Sequence, residues 1–480
     1  MYEMAVSIIK QNNDSITLHV TISFNRSMFN SESAIQEAVN EMGSIATGEL
    51  LKTFDTEGED IALGAVKLTS KGLSSKCYQT PYGEVEIERH IYQSAIGGAT
   101  FCPLEREARI ILTSTPRFAS QVSHKMAEMA APHVKKDLER NHNRKVSTAL
   151  IQRLSEGVSA VAQIKEESWS YHVPEVKESE IKTIGIGLDG TCMLMCEGSY
   201  RQAMVGTIAL YDSDGERQHT TYIAAAPEYG KEKFKERLTR EIERTKSMYP
   251  SALRIGIADG SHDNWEFLEK HTEKQTLDFY HATEYLTDVA DRIFTNPVKR
   301  KAWLDDRCHQ LKHTKNASVS ILAEMKGFLK NQAIDPPITP LMLLNNQEAK
   351  LTAVCDVLAT HPMLTVVENI VDDNQQSDHS RNKREQKKKS LEAAITYFTN
   401  NNSKSRMDYW ESVAANHVIG SGVTEAACKT IVKQRLCKSG MRWKDKGAAV
   451  ILSLRTLAHS TGRWEQFWKK VNQYGFPIAA

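Results

Sequence analysis

The chain has 480 residues, 40% of them hydrophobic and 25% charged, with a formal net charge of +1. At that size about two to four domains are expected, and disorder or a fibrous repeat is excluded for most of the length. No window approaches the ~20 consecutive apolar residues of a membrane span, and the opening MYEMAVSIIKQNNDSITLHV has no basic region leading into an apolar one, so the expectation is a cytoplasmic protein with no membrane partner.

Residues 1–65 read as a mixed acidic segment, with ten Asp and Glu against Lys10, Arg26 and Lys52 up to Asp60. SITLHVTISF is strand-like, and SESAIQEAVNEMGSIATGELLKTF is helical with Ser31 or Ser33 as the cap. In residues 66–110, YGEVEIERHIYQSAIGGATF alternates and breaks at Gly97 and Gly98, the pattern of a small β-hairpin module. Residues 111–168 then carry helical periodicity through Val122, Met126 and Met129, again at Val134 and Leu138, and after the break NHNR from Leu150 to Val161. Two short helices about a four-residue turn suggest a helix-turn-helix.

The polar stretch KEESWSYHVPEVKESE reads as a linker, and beyond it strands and helices alternate. IKTIGIGLDG is a buried strand, AMVGTIALYDSDGERQHTTYIAAA a hairpin around Ser213 to Glu216, LRIGIADGS a second buried strand, and QTLDFYHATEYL a strand entering a helix. That order predicts a mixed five-stranded α/β domain over residues 180–295. Residues 296–412 read as a helical insertion broken by DPPITP and by the polar VDDNQQSDHSRNKREQKKKS, whose basic run from Arg381 to Lys389 is most simply a solvated helix start or loop. Residues 413–480 return with HVIGSGVTEAACKTIVKQRLCKSGMRW, a helix carrying Glu425, and basic C-terminal helices. The eight cysteines include no CxxC pair, which suits a reducing compartment and gives no zinc knuckle. Cys192 and Cys196 have same-face strand spacing and read as core, and Trp443, Trp464 and Trp468 read as packing anchors.

Two buried strands end alike, at Asp189 and at Asp259, each followed by glycine, and that edge of an α/β sheet is where ligand sites form. Neighbouring carboxylates repel unless a cation lies between them, and a pair of Mg²⁺ ions clamps both oxygens of an in-line phosphoryl displacement. A third carboxylate is then required, and Glu284 and Glu425 compete for the role. Alone, Glu425 is an ordinary first-turn residue that complements the helix dipole. The cations after it favour it, because a phosphate site wants basic residues to hold the DNA backbone. Lys429, Lys433, Arg435, Lys438, Arg442 and Lys444 are therefore the DNA-facing candidates. The glycines of IGSG are expected to let the chain turn sharply into the site.

YQTPYGEVEIERHIYQ, CPLE, STPRFASQVSHKMAEM, GLDGT, IADGSHDNW, DFYHATEYL and IGSGVTEAACKTIVKQRLCKSGMRW together resemble bacterial insertion-sequence transposases of the DDE type, close to the ISKra group and related to Mutator-like transposases. The resemblance runs from about Tyr78 to Trp468 and leaves the first 65 or so residues open. It implies a multidomain α+β protein: a ribonuclease-H-like catalytic domain interrupted by the helical insertion and preceded by the β-hairpin module and a helical DNA-binding region. It implies Asp189, Asp259 and Glu425 as ligands of two Mg²⁺ or Mn²⁺ ions. DFYH resembles an Asp-x-x-His pattern, which makes Asp278 and His281 near-site residues. It further implies terminal inverted repeats and target DNA as partners, a homodimer or higher oligomer on DNA, and a nucleoid-associated place in a bacterial cell. His262 and Asp263 depart from the small or apolar residues expected there, so Asp263 competes with Asp259, which sits better at the strand end. A structure-specific nuclease, or a DNA-binding protein that has lost catalysis, are the alternative functions.

Overall fold

The computed structural model describes residues 5–331 and 376–476, apart from 13, 25, 65, 167, 174, 175, 178, 179, 229 and 230. The expected DPPITP break lies outside the described residues. The chain is α+β, with three separate sheets and many helices among the described residues. No helix among the described residues is long and apolar enough to cross a membrane.

At the N-terminus, β1 (Ala5–Gln11) and β2 (Ile16–Thr21) pair antiparallel, followed by α1 (Met28–Lys52). The helix begins earlier than the serine pattern suggested. Ser27, with extended backbone, accepts from Asn30 N, while Ser31 is buried inside the helix and Ser33 bonds back to Phe29 O. The cap belongs to the serine outside the helix, because only there does a hydroxyl meet an orphaned N–H. β3 (Ile61–Leu63), β4 (Val66–Gln79), β5 (Glu84–Ser94) and β6 (Gly97–Phe101) form a four-stranded antiparallel sheet, followed by the short α2 (Pro103–Glu107), and the alternation of β5 buries Val85 and Ile87.

Residues 111–168 form three helices rather than two: α3 (Pro116–Glu128), α4 (Ala131–His142) and α5 (Thr148–Lys165). Met129 is extended and Pro132 opens the next helix, since proline has no N–H to continue the previous one. Asn143 closes α4 in the left-handed region, and Ser147 Oγ caps α5 by accepting from Leu150 N at 3.1 Å. These helices share one core with the Asp445–His459 and Arg463–Tyr474 helices, through Phe118, Val134, Leu154, Ile451 and Phe467. The expected linker is pinned to that core as well: Trp169 is buried edge-on against Phe467.

The third sheet runs β11-β10-β7-β8-β9, from β7 (Thr183–Leu194), β8 (Tyr200–Tyr211), β9 (Arg217–Ala225), β10 (Leu253–Ala258) and β11 (Lys274–Leu277). β7, β8 and β9 are antiparallel neighbours, whereas β10 is parallel to both β7 and β11. Side chains alternate along a strand, so Ile184, Ile186 and Leu188 enter the core with α6 (Glu232–Met248), α7 (His262–His271) and α8 (Phe279–Ile293). Met193 and Met195 enter the other core. Cys192 and Cys196 are both exposed rather than core, and Cys196 lies in the turn beyond β7.

The insertion packs on the first of these cores. Trp303 of α9 (Pro297–His313), Phe328 of α10 (Ala317–Asn331) and Phe398 of the Gln376–Asn402 helix all join it. The chain leaving the insertion then runs beside β11, where Leu277 N donates to Arg406 O at 2.8 Å.

Candidate active site

The last paired rung between β10 and β7 joins Ile257 to Gly187. Asp259 and Asp189 each stand two residues beyond it, so alternation puts both carboxylates on the Gly187 face, on strands ~5 Å apart. Asp189 lies inside β7 rather than at its end, because β8 keeps pairing with β7 as far as Leu194. The parallel neighbour is what stops, and the opening it leaves is the site.

Over this face lies the Gly422–Ala427 helix. It approaches closely because residue 187 has no side chain: a Cβ there would stand 2.1 Å from Thr424 Oγ1. Thr424 is buried and shares a 2.7 Å hydrogen bond with Thr207 of β8. A small cavity, partly open to solvent, remains between helix and sheet, lined by Asp189, Asp259, Glu425, His281, Ser421 and Thr424 among others. Glu425 thus lines the same cavity as the two aspartates although it lies 166 positions after Asp259 in the chain.

Asp278 makes that delivery possible. Fully buried, it caps α8 by accepting from His281 N at 2.8 Å, and its other oxygen accepts from Ser421 N. Its own N–H donates to Ala258 O, and the next residue, Phe279, donates to Ile419 O at 3.0 Å. The end of β10, the start of α8 and the loop before Glu425 are thereby tied at one residue. Neither Gly420 nor Gly422 adopts a left-handed φ, so the expected glycine turn is not how the chain enters the site; between them Ser421 N is held by the Asp278 carboxylate.

His281 Nδ1 meets Glu284 at 3.0 Å, which removes Glu284 from the cavity lining and makes it the partner of a lining residue. Burial pulls the His281 pKa down, but the charge of Asp278, the Glu284 hydrogen bond and the charges of Glu284 and Glu425 outweigh it, and the net shift is upward. Asp263 is exposed in the first turn of α7 and lines nothing here, whereas its neighbour Asn264 is buried and donates to Leu188 O at 3.3 Å.

Each carboxylate is held separately. Asp189 accepts from Gly190 N at 2.6 Å and faces the Cys428 thiol at 3.6 Å, Asp259 accepts from Ser261 N at 3.1 Å, and Glu425 accepts from Ser421 Oγ at 2.6 Å. Among the described residues no three His, Cys, Asp or Glu side chains form a ready-made cation cage, these three included. The donor type nevertheless fits a hard divalent cation, which takes carboxylate oxygens and keeps several waters. Burial and the Asp189 charge together push the Cys428 thiol far up, so it stays a neutral donor to the carboxylate.

Of the six cations expected to face DNA, Lys429, Lys433, Lys438, Arg442 and Lys444 are exposed. Arg435 is not. It is 1% exposed and donates to Met126 O and Met129 O at the end of α3, under the Trp443 ring. Its place in the helix turns it to the core, where Nε and Nη2 are satisfied by those carbonyls and Nη1 has no hydrogen-bond partner.

Ser421, Thr424, Cys428, Gly187 and Tyr397 are site residues the sequence reading missed. None has a motif of its own, and each works through a partner distant in sequence. No protein-family model matches the chain, and no curated protein matches it.

Proposed function

We propose that this protein is a divalent-cation-dependent DNA transposase of the DDE type, resembling the ISKra group. One observation carries the reading: Asp189, Asp259 and Glu425 line a single cavity although Glu425 comes from beyond a long insertion. The mixed five-stranded sheet with helical crossovers supports the ribonuclease-H-like assignment of the domain that holds them.

On this reading the three carboxylates hold two ions, Mg²⁺ or Mn²⁺. When bound, such ions activate a nucleophilic oxygen and neutralise charge on the transferring phosphoryl group. Asp278 fixes the approach of the Glu425 helix. His281, with one nitrogen held by Glu284, offers its other nitrogen to a phosphate oxygen. Lys429, Lys433, Lys438, Arg442 and Lys444 hold the backbone of double-stranded DNA, as terminal inverted repeats and as target. Hydrolysis at the element end frees a 3′-hydroxyl, and the same site serves its attack on target DNA. A homodimer or higher oligomer on paired ends, in the bacterial cytoplasm, completes the proposal.

The test is cleavage and joining of inverted-repeat DNA with Mg²⁺ or Mn²⁺. Glu425→Gln and Asp189→Asn should each abolish both reactions while leaving thermal unfolding near wild type, and wild-type rates in either variant would sink the assignment. Cleavage without joining would indicate a structure-specific nuclease. Salt-dependent binding without cleavage would indicate a DNA-binding protein that has lost catalysis.

A further inference from the structure

Asp259 leaves β10 into a short bend whose local restraint is the 3.1 Å bond from Ser261 N to its own carboxylate. Gly260 has φ +114°, a conformation other residues rarely adopt, and Ser261 is exposed. One side chain closes on this bend from the far end of the insertion. Tyr397, on the Gln376–Asn402 helix, donates its hydroxyl to Asp259 O at 2.6 Å across 138 residues of sequence. Its ring lies so close to Gly260 that a Cβ there would stand 2.7 Å from Tyr397 Cε2. The ring is in turn stacked on Tyr285 of α8, with centroids 4.0 Å apart and planes 18° apart.

We propose that Tyr397 is a positioning residue for Asp259, so that the seating of the helical insertion sets the cation affinity of the carboxylate cavity. The inference rests on the cation-binding reading of Asp189, Asp259 and Glu425. Its physical content is local. A carbonyl held by one hydrogen bond fixes the plane of the 259–260 peptide, and that plane fixes the direction in which the Asp259 side chain leaves the main chain. Gly260 supplies no restraint of its own, so without the hydroxyl the bend samples more orientations and the carboxylate is less often in place. Tyr285 holds the ring that carries the hydroxyl, and through it the insertion and α8 act on one atom of the site. Burial, together with the neighbouring Tyr285 and Asp259, pushes the Tyr397 hydroxyl well above its ordinary range, so it remains a donor throughout the working pH range.

The measurement is Mn²⁺ binding to the full chain without DNA, read by the electron paramagnetic resonance of free Mn²⁺, beside thermal unfolding. Tyr397→Phe keeps the ring and its stack, so the fold should persist while Mn²⁺ binds about fivefold more weakly, the equivalent of one ordinary hydrogen bond. Tyr285→Leu removes the support and keeps the hydroxyl, and should shift affinity the same way by less; it carries the test if the first variant does not fold. Thr396→Ala, on the same helix with its hydroxyl bonded only to Glu392 O, should leave affinity unchanged. If Asp259→Asn abolishes Mn²⁺ binding while Tyr397→Phe and Tyr285→Leu bind as wild type, the positioning role is wrong and the cation site stands. If Asp259→Asn itself binds as wild type, the cation reading falls and this inference falls with it.

Discussion

Gly187→Ala should damage stability and activity together, because one missing methyl group is what lets the Glu425 helix lie on the sheet. The new Cβ would stand 2.1 Å from Thr424 Oγ1 and 3.3 Å from both Thr424 Cβ and Thr207 Oγ1. Rotating Thr424 relieves the first clash but not the contact at its Cβ, and it breaks the 2.7 Å bond to Thr207. The helix must therefore retreat, by roughly 1 Å, to restore ordinary van der Waals separation. Overpacking a filled interface costs about 1–3 kcal/mol and the lost hydrogen bond about 1 kcal/mol, so urea unfolding should report a loss of about 2–4 kcal/mol. If the proposed cleavage takes place at this site, a displacement of that size is enough to lower it roughly a hundredfold. Adding Thr424→Ala removes the clashing oxygen and should restore at least half of the loss relative to Gly187→Ala alone. A Gly187→Ala protein with wild-type unfolding and cleavage, or one that Thr424→Ala does not relieve, would refute the close-approach argument.

Burial, reinforced by the charge of Arg463, holds the buried His219 imidazole down at about 4. The unfolded chain binds that proton near pH 6.5, so the stability this residue contributes is full above pH 6.5 and declines as pH falls toward 4; His219→Gln should flatten the unfolding midpoint across that window, and an unchanged slope counts against it. Arg455→Ala strips donors from Thr430 O, Ile431 O and Ala127 O and should cost about 3 kcal/mol or more by thermal unfolding, while Arg455→Lys, lacking the planar fork, should recover only part. Asp278→Asn puts a donor where two backbone N–H groups need acceptors, so amide exchange at Ile419 to Ser421 should accelerate, and unchanged protection would remove the anchoring role. Alanine at Lys429 or Lys438 should reduce the salt slope of DNA binding by about one per residue, whereas Arg435→Ala should lower the unfolding temperature.

The aspartates were legible because their signal is local. A buried strand followed by Asp-Gly shows in ten residues, and alternation then carries Asp189 and Asp259 to one face without further information. The same rule put Cys192 and Cys196 in the core, where neither lies, since parity says which residues share a face and not which face meets a core. A break before α5 was legible, but NHNR placed it two residues early, since α4 continues to His142 and helix resumes only at Thr148. That α3, α4 and α5 share a core with the last two helices was not, because hydrophobic periodicity marks a buried stripe and leaves its partner unnamed. Asp278 stood out as the first residue of DFYH, yet its work depends on Ser421, 143 residues on, and no spacing rule spans that distance.

Arg435 exposes a different failure, and the cause lies in the helix that carries it. Between Cys428 and Lys433 the Glu425 helix widens into a π turn. A widened turn displaces carbonyls from their regular partners, and a buried carbonyl left without a donor is expensive. Arg455, 2% exposed, supplies donors to Thr430 O and to Ile431 O at 2.9 Å, and the same guanidinium reaches Ala127 O at 2.7 Å and Glu128 at 3.0 Å. Arg435 binds the adjacent carbonyls of Met126 and Met129. Two arginines in a basic segment thus join the end of α3 to the turn that follows Glu425, and both guanidiniums are buried in that joint, away from any phosphate, although Arg435 Nη1 finds no hydrogen-bond partner there. Charge density alone cannot separate them from Lys429 or Lys433. The separation comes from where a helix leaves carbonyls unsatisfied beneath the surface, and the residue pattern gives no sign that this helix widens.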